Sequence, residues 1–321
     1  KQTNIFSFGL FVSFFPHLIA GAIVHLKEIM PQLASPLLTR VNYGNLSKGF
    51  FIFMMGLAKK VVLADSFGLI ADNGYAHINL LGTKDAWFTS FAYSLQLYFD
   101  FSGYSAMAIG LGLLFNIQLP QNFNSPYKSA NIQEFWRNWH ITLSRFLRDY
   151  VYIPLGGSRI SSVRTNINLM LTFLLGGIWH GAGWTFIAWG LLHGSALVIH
   201  RYWKKFEIRM PKFLSIPLTF LFVNITWVYF RAENFQDANN LLFTMFHFLD
   251  SASPDFYLVS NLYNLPIWII GTLLLFLPND MQLGNKIKPN LKYGLITVFL
   301  FVLNMIFLNS IVQNDFLYFD F

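Results

Sequence analysis

The side chains in this sequence best placed to do chemistry are histidines set among apolar residues. His180 stands in Gly176-Gly177-Ile178-Trp179-His180-Gly181-Ala182-Gly183-Trp184, inside a long apolar stretch. A helix entering a bilayer near Asn166 would carry His180 roughly 21 Å inward at 1.5 Å per residue, past the middle of the membrane. An ionisable group at that depth is a functional candidate. A neutral imidazole can act as a general base near neutral pH. The glycines would let backbone or substrate approach closely; the same residues also fit a plainer account, a ring bonded to a neighbouring carbonyl with glycines for helix packing.

His140 lies in Glu134-Phe135-Trp136-Arg137-Asn138-Trp139-His140. Read alone, these polar groups among aromatics describe an interfacial amphipathic helix. Arg148 and Asp149 open a run to Gly157 that looks like a helix end entering a turn. They could pair with neighbours or anchor the segment at the interface. Asp100 is the one acid in its long apolar stretch, so it must be paired or protonated. A structural bond to Ser102, Tyr104 or an Arg elsewhere is expected. His17, His25, His193 and His200 are adequately explained by neutral interhelical hydrogen bonds. No metal site is expected, because there is no His-Glu-x-x-His, no Cys and few acids. Gly110-Leu111-Gly112 is not a nucleotide loop: no strand precedes it and no Lys-Ser/Thr follows.

The elements that must position these groups are set by composition. Hydrophobic residues make up 55% of the 321 and charged residues 12%, about half the share of a water-soluble domain. A bilayer is the natural solvent for such a chain. The apolar runs are continuous and lack the period of barrel strands, so helices are expected. The apolar runs are 6–26, 49–71, 87–117, 166–199, 214–230, 265–277 and 293–308, of which 49–71, interrupted by Lys59, Lys60 and Asp65, could span or lie partly in the interface. The third would reach about 46 Å as one helix, against ~30 Å of hydrocarbon. It should break or kink at Asp100-Phe101-Ser102-Gly103-Tyr104. The segment 119–165 reads as short amphipathic helices on the membrane surface. The net charge of +7 fits basic cytoplasmic loops rather than a nucleic-acid footprint.

Three segments taken together resemble the membrane-bound O-acyltransferase family, in its alginate and peptidoglycan O-acetyltransferase branch: Asp100-Phe101-Ser102-Gly103-Tyr104, the run from Asn122 through Gly157, and Trp179-His180-Gly181. The likeness runs from Phe14-Phe15-Pro16-His17 to Phe316-Leu317-Tyr318-Phe319. It implies an all-α polytopic transmembrane helical bundle with short interfacial helices, one membrane domain over 1–321. Family members usually carry further spans upstream, so the chain is expected to lack N-terminal spans. The resemblance makes His180 the presumed catalytic residue and His140 a second important position. Asn138, Arg137, Glu134, Arg148, Asp149 and Trp179 are the expected supporting residues.

The implied reaction moves an acetyl or other acyl group from a cytoplasmic thioester, such as acetyl-CoA, to a hydroxyl. No permanently bound cofactor is expected. The implied partners are membrane lipid, a polysaccharide acceptor and a periplasmic or membrane-anchored SGNH-type transferase, with no nucleic acid. The implied location is the bacterial cytoplasmic (inner) membrane, crossed several times. Two rivals remain at this point: D-alanyl-type transfer from a carrier-protein thioester, and a transporter.

Charge alternation predicts a topology. Basic loops at 201–212 and 286–292 bracket the acidic segment 232–257, which places the basic loops in the cytoplasm. Single cysteines at 205 and 237 can be labelled cleanly in this Cys-free chain. An impermeant reagent added from outside should reach 237 and not 205; the opposite pattern overturns the topology.

Overall fold

The computed structural model describes residues 5–16, 23–247, 265–310 and 316–317. His17, the centre of the first apolar run, most of the segment after 247, and Tyr318-Phe319 lie outside the described residues. Among the described residues the chain is helical without strands. The α-helices are α1 (Ile5–Ser13), α2 (Leu26–Leu33), α3 (Tyr43–Ala58), α4 (Asp65–Ala76), α5 (Thr83–Leu114), α6 (Ile132–Asn138) and α7 (Ile141–Leu147). They continue with α8 (Ser162–His180), α9 (Trp184–Trp203), α10 (Lys212–Arg231), α11 (Phe235–Phe246), α12 (Leu265–Phe276), α13 (Asp280–Gly284) and α14 (Leu291–Ser310). Helices α5, α10 and α14 are long and apolar enough to cross a membrane.

Helix α5 is the axis of the fold. Its 32 residues run unbroken for roughly 48 Å. The expected break at Asp100–Tyr104 is absent. Gly103 is used for close packing instead of a kink, and Asp100 finds its partners on other elements. The helix stops where Asn116 takes a left-handed turn (φ 57°). There the Ile117 N–H reaches the Gly112 carbonyl at 2.8 Å and the Asn116 N–H reaches Leu113 at 2.9 Å. This is the Schellman closure, which satisfies carbonyls that a helix end would otherwise orphan.

Helices α3 and α4, joined by a wide π-type turn at Lys59–Ala64, run antiparallel along α5. Two glycine pairs set the approach. A Cβ on Gly49 would meet the Gly110 carbonyl at 2.7 Å, and one on Gly56 would meet Gly103 at 2.5 Å. The charges that interrupt this stretch in sequence face inward, not toward lipid. Lys60 Nζ lies 2.7 Å from Asp65 Oδ1 and 2.9 Å from Asp100 Oδ1. The Leu317 N–H donates to the other Asp100 oxygen at 3.0 Å. The partner of Asp100 is therefore a lysine and a backbone amide, not Ser102, Tyr104 or an arginine. Lys59 pairs with Asp280 at 2.5 Å.

Helices α8 and α9 form a tight hairpin in which a Cβ at Gly177 would strike the Phe186 carbonyl and one at Gly190 the Phe173 carbonyl. Asn224 ties α10 to α5: its Oδ1 accepts from Ser90 Oγ at 2.9 Å, and its Nδ2 donates to Ser90 O at 3.0 Å and Ser94 Oγ at 2.8 Å.

The segment 119–165 departs from its expected surface position. Its short helices exist, but Phe123, Tyr127, Phe135, Trp139 and His140 are buried in the bundle. The Tyr127 hydroxyl donates to the Ser94 carbonyl of α5 at 2.7 Å. Aromatic bulk pulls one side of the segment inward, while Arg137 and Arg148 stay outside.

Two stability outcomes are expected. Lys60→Met strands two buried carboxylates and should cost about 3–5 kcal/mol; Asp100→Asn leaves Lys60 with Asp65 and should cost less. Equal melting temperatures in detergent for the two variants would contradict this pairing. Gly56→Ala should cost about 1–3 kcal/mol by overpacking. Gly294→Ala, with nothing within 4 Å of the new Cβ, should be neutral or favourable by up to about 1 kcal/mol.

Candidate active site

His180 is the last residue of α8, about 27 Å along the helix from its start at Ser162. The N-cap at Ser161 accepts from the Arg164 N–H at 3.1 Å and fixes where the helix begins. Gly181 follows in extended conformation (φ 174°). The His180 ring stands edge-to-face with Trp189 (5.2 Å between centroids), Phe230 (5.1 Å) and Trp179 (4.9 Å). Helices α8, α9 and α10 thus each place a ring around it.

His180 forms part of two voids. One is a cavity of about 490 Å³, lined by apolar residues such as Leu147, Phe173 and Gly176, with Arg137, Arg145 and Arg148 also on its wall. The other is a small pocket of about 20 Å³ that holds His140, Asp100, Trp139 and Leu317. Trp189 lines both. Its indole Nε1–H is buried and has no hydrogen-bond partner among the described residues.

His140 links α6 to α7 and is 1% exposed. Its backbone is left-handed (φ 43°), a conformation that costs an L-residue energy. The turn is held by the Asn122 carbonyl, which accepts the Ile141 N–H at 2.9 Å. The ring packs edge-on against Phe101 at 4.8 Å, and its Nδ1 lies 3.1 Å from Asn122 Oδ1. The same oxygen accepts from Thr142 N (3.2 Å) and Thr142 Oγ1 (3.0 Å). Asn122 escaped the sequence reading as a side chain, although it begins the segment that carries the family resemblance. Its neighbours Gln121, Asn124 and Ser125 are polar as well, so nothing in the sequence set Asn122 apart.

The supporting residues separate. Trp179 touches His180. Arg137 and Arg148 face the large cavity. Arg148 Nε bonds Asp149 at 2.7 Å, and that bond holds the Asp149 carboxyl below the usual carboxylate range. Glu134 caps its own helix: Asn131 Oδ1 accepts the Glu134 N–H at 2.9 Å, and Glu134 accepts the Ala130 N–H at 2.8 Å. Asn138 bonds Ser129 (3.2 Å) and Asn124 (3.3 Å), so its side-chain bonds run to the preceding loop. His193 is fully used between helices. Trp136 Nε1 donates to its Nδ1 at 3.2 Å, and its Nε2 meets Thr226 Oγ1 at 3.0 Å. Among the described residues no cluster could hold a metal ion.

The arrangement offers a ring nitrogen between an apolar cavity and a second buried histidine, which suits proton transfer at a group held in that cavity. Comparison with known proteins gives the family. The family model described as "MBOAT, membrane-bound O-acyltransferase family" matches residues 1–235. A "Peptidoglycan O-acetyltransferase" from Helicobacter pylori is 56% identical over 244 residues, 75% of this chain and 46% of that protein. A "Probable alginate O-acetylase AlgI" from Azotobacter vinelandii is 46% identical over 279 residues, 85% of this chain and 53% of its own length. A "Teichoic acid D-alanyltransferase" from Bacillus subtilis is 28% identical over 245 residues, 70% of this chain and 61% of that protein. The chain spans about half the length of the first two of these curated relatives. With the family model covering most of the chain, this protein belongs to the membrane-bound O-acyltransferase family.

Proposed function

We propose that this protein transfers an acetyl group from a cytoplasmic thioester to a hydroxyl on the other side of the bacterial inner membrane, with His180 as general base. The observation that carries the reading is the position of His180 in the wall shared by the 490 Å³ cavity and the pocket holding His140. The cavity suits an acyl thioester: its lining is mostly apolar, and Arg137 and Arg148 offer guanidinium groups to an anionic carrier. The names of the relatives at 56% and 46% identity favour acetyl over the D-alanyl group named for the relative at 28%.

In this reading the acceptor oxygen attacks the thioester carbonyl while His180 takes its proton. The tetrahedral adduct then collapses, the C–S bond breaks, and the departing thiolate recovers the proton. Charge on the adduct oxygen needs a donor. The Trp189 indole N–H, buried beside His180 without an acceptor among the described residues, is a donor of the right kind. The acceptor is a polysaccharide hydroxyl or that of a partner transferase of the SGNH type, the membrane is crossed several times, and the lipid surrounds the exposed apolar faces of α12 and α14. A carrier-protein thioester is the alternative donor.

His180→Gln keeps a polar group of similar reach but removes the base. In the full-length protein it should lower transfer from labelled acetyl-CoA by at least about 10²–10⁴-fold, with monodispersity unchanged. Near wild-type transfer by a well-folded His180→Gln protein would make His180 a packing residue. Transfer from a loaded carrier protein, with free acetyl-CoA inert, would select the alternative donor.

A further inference from the structure

The hydrogen bonds around Asn122 determine which nitrogen of His140 carries its proton. The Ile23 N–H donates to Thr142 Oγ1 at 3.1 Å, so the Thr142 hydroxyl is free to donate onward to Asn122 at 3.0 Å. The Thr142 backbone N–H donates to the same atom at 3.2 Å. A backbone N–H can only donate, so the Asn122 atom that receives it is the amide oxygen, not the nitrogen. That oxygen also faces His140 Nδ1 at 3.1 Å. Two acceptors do not bond each other, so Nδ1 must bear a hydrogen. In the neutral ring the lone pair then sits on Nε2, across the ring from Asn122.

His193 shows the opposite assignment by the same logic. Its Nδ1 receives the Trp136 indole N–H, so Nδ1 has no hydrogen. The Thr226 hydroxyl is committed to the Val223 carbonyl at 2.7 Å, so His193 Nε2–H donates to Thr226. That ring is a neutral strut with both nitrogens occupied. His140, equally buried, meets through Nδ1 a side-chain oxygen that accepts three hydrogen bonds.

We propose that Asn122 is a positioning residue for the transfer reaction: it locks His140 as the Nδ1–H tautomer, so that Nε2 is the nitrogen through which this ring takes part in proton transfer beside His180. The proposal rests on the acyl-transfer reading for its catalytic half and on hydrogen-bond geometry for its tautomeric half. A proton arriving at Nε2 leaves the Nδ1–H···O bond in place and strengthens it, because charge-assisted bonds are the stronger ones. Asn122 thereby orients the ring in both charge states. The titratable groups that face the ring are Asp100 on α5 and His180 on α8, which share its pocket, with Lys60 and Asp65 behind Asp100. Lys59 and Asp280 line the neighbouring void that Asn122 borders.

The test separates the two halves. In ¹⁵N-histidine-labelled full-length protein in nanodiscs, the signal lost in His140→Gln identifies His140. It should show a protonated Nδ1 and an unprotonated Nε2; a protonated Nε2 in the neutral wild type overturns the proposal whether or not the protein transfers acetyl. Asn122→Leu should lower kcat by about 10²-fold or more with the thioester KM unchanged. Asn122→Asp keeps an oxygen for all three donors and guards against a folding failure of the leucine variant. Its carboxylate stabilises the imidazolium, so the acidic limb of the kcat profile should move to higher pH by about 1–3 pH units, with activity retained above it. An Asn122→Asp profile that superimposes on wild type would make Asn122 a structural residue only. A wild-type protein that consumes no thioester sinks the functional reading, and the tautomer measurement still decides the other half.

Discussion

The constraint on which this structure depends is that α5 is enclosed by protein along nearly its whole length. A helix long enough to cross a membrane with lipid around it could not carry Ser90, Ser94 and Asp100 on its faces, because hydrocarbon offers no partner to polar groups. Enclosure supplies the partners. Lys60 meets Asp100, Asn224 meets Ser90 and Ser94, and Tyr127 meets the Ser94 carbonyl. The enclosure in turn depends on glycine, since α3 and α5 touch backbone to backbone at Gly49–Gly110 and Gly56–Gly103.

That enclosure explains where the sequence was legible and where it was not. The helical class, the interhelical role of His193 and the family all follow from local pattern. The α8–α9 hairpin glycines were readable as packing devices, and packing is what they do. The continuity of α5 was not readable. Asp100 looks like a helix breaker only until Lys60, forty residues upstream, is known to lie against it. The segment after Leu119 looks like a surface element because its arginines dominate the composition. Whether Trp139 and Phe135 turn inward depends on an aromatic wall contributed by α5 and α10, which local periodicity does not encode. Asn122 was hidden for the same reason: its meaning lies in a bond to a ring eighteen positions later.

The site shows how one chemical group serves two ends under equal burial. His193 and His140 are both sealed from solvent, so accessibility does not distinguish them. Their partners do. Both nitrogens of His193 bond neighbouring groups on other elements, whereas Nδ1 of His140 faces an amide oxygen that the backbone and hydroxyl of Thr142 also bond. Buried polar groups in a bundle of this kind are informative by their hydrogen-bond ledger more than by their depth.

The left-handed backbone at His140 has a consequence of its own. Glycine or asparagine would occupy that turn at lower conformational cost, and neither could offer an imidazole. The chain therefore keeps a side chain that the turn itself does not favour, beside two residues, Asn122 and Thr142, committed to holding it. Selection for thermal stability alone would drift away from histidine at this position, and a stabilised variant obtained that way would be a well-packed protein without the imidazole. On the acyl-transfer reading proposed above, stability and activity pull in opposite directions at this single φ angle.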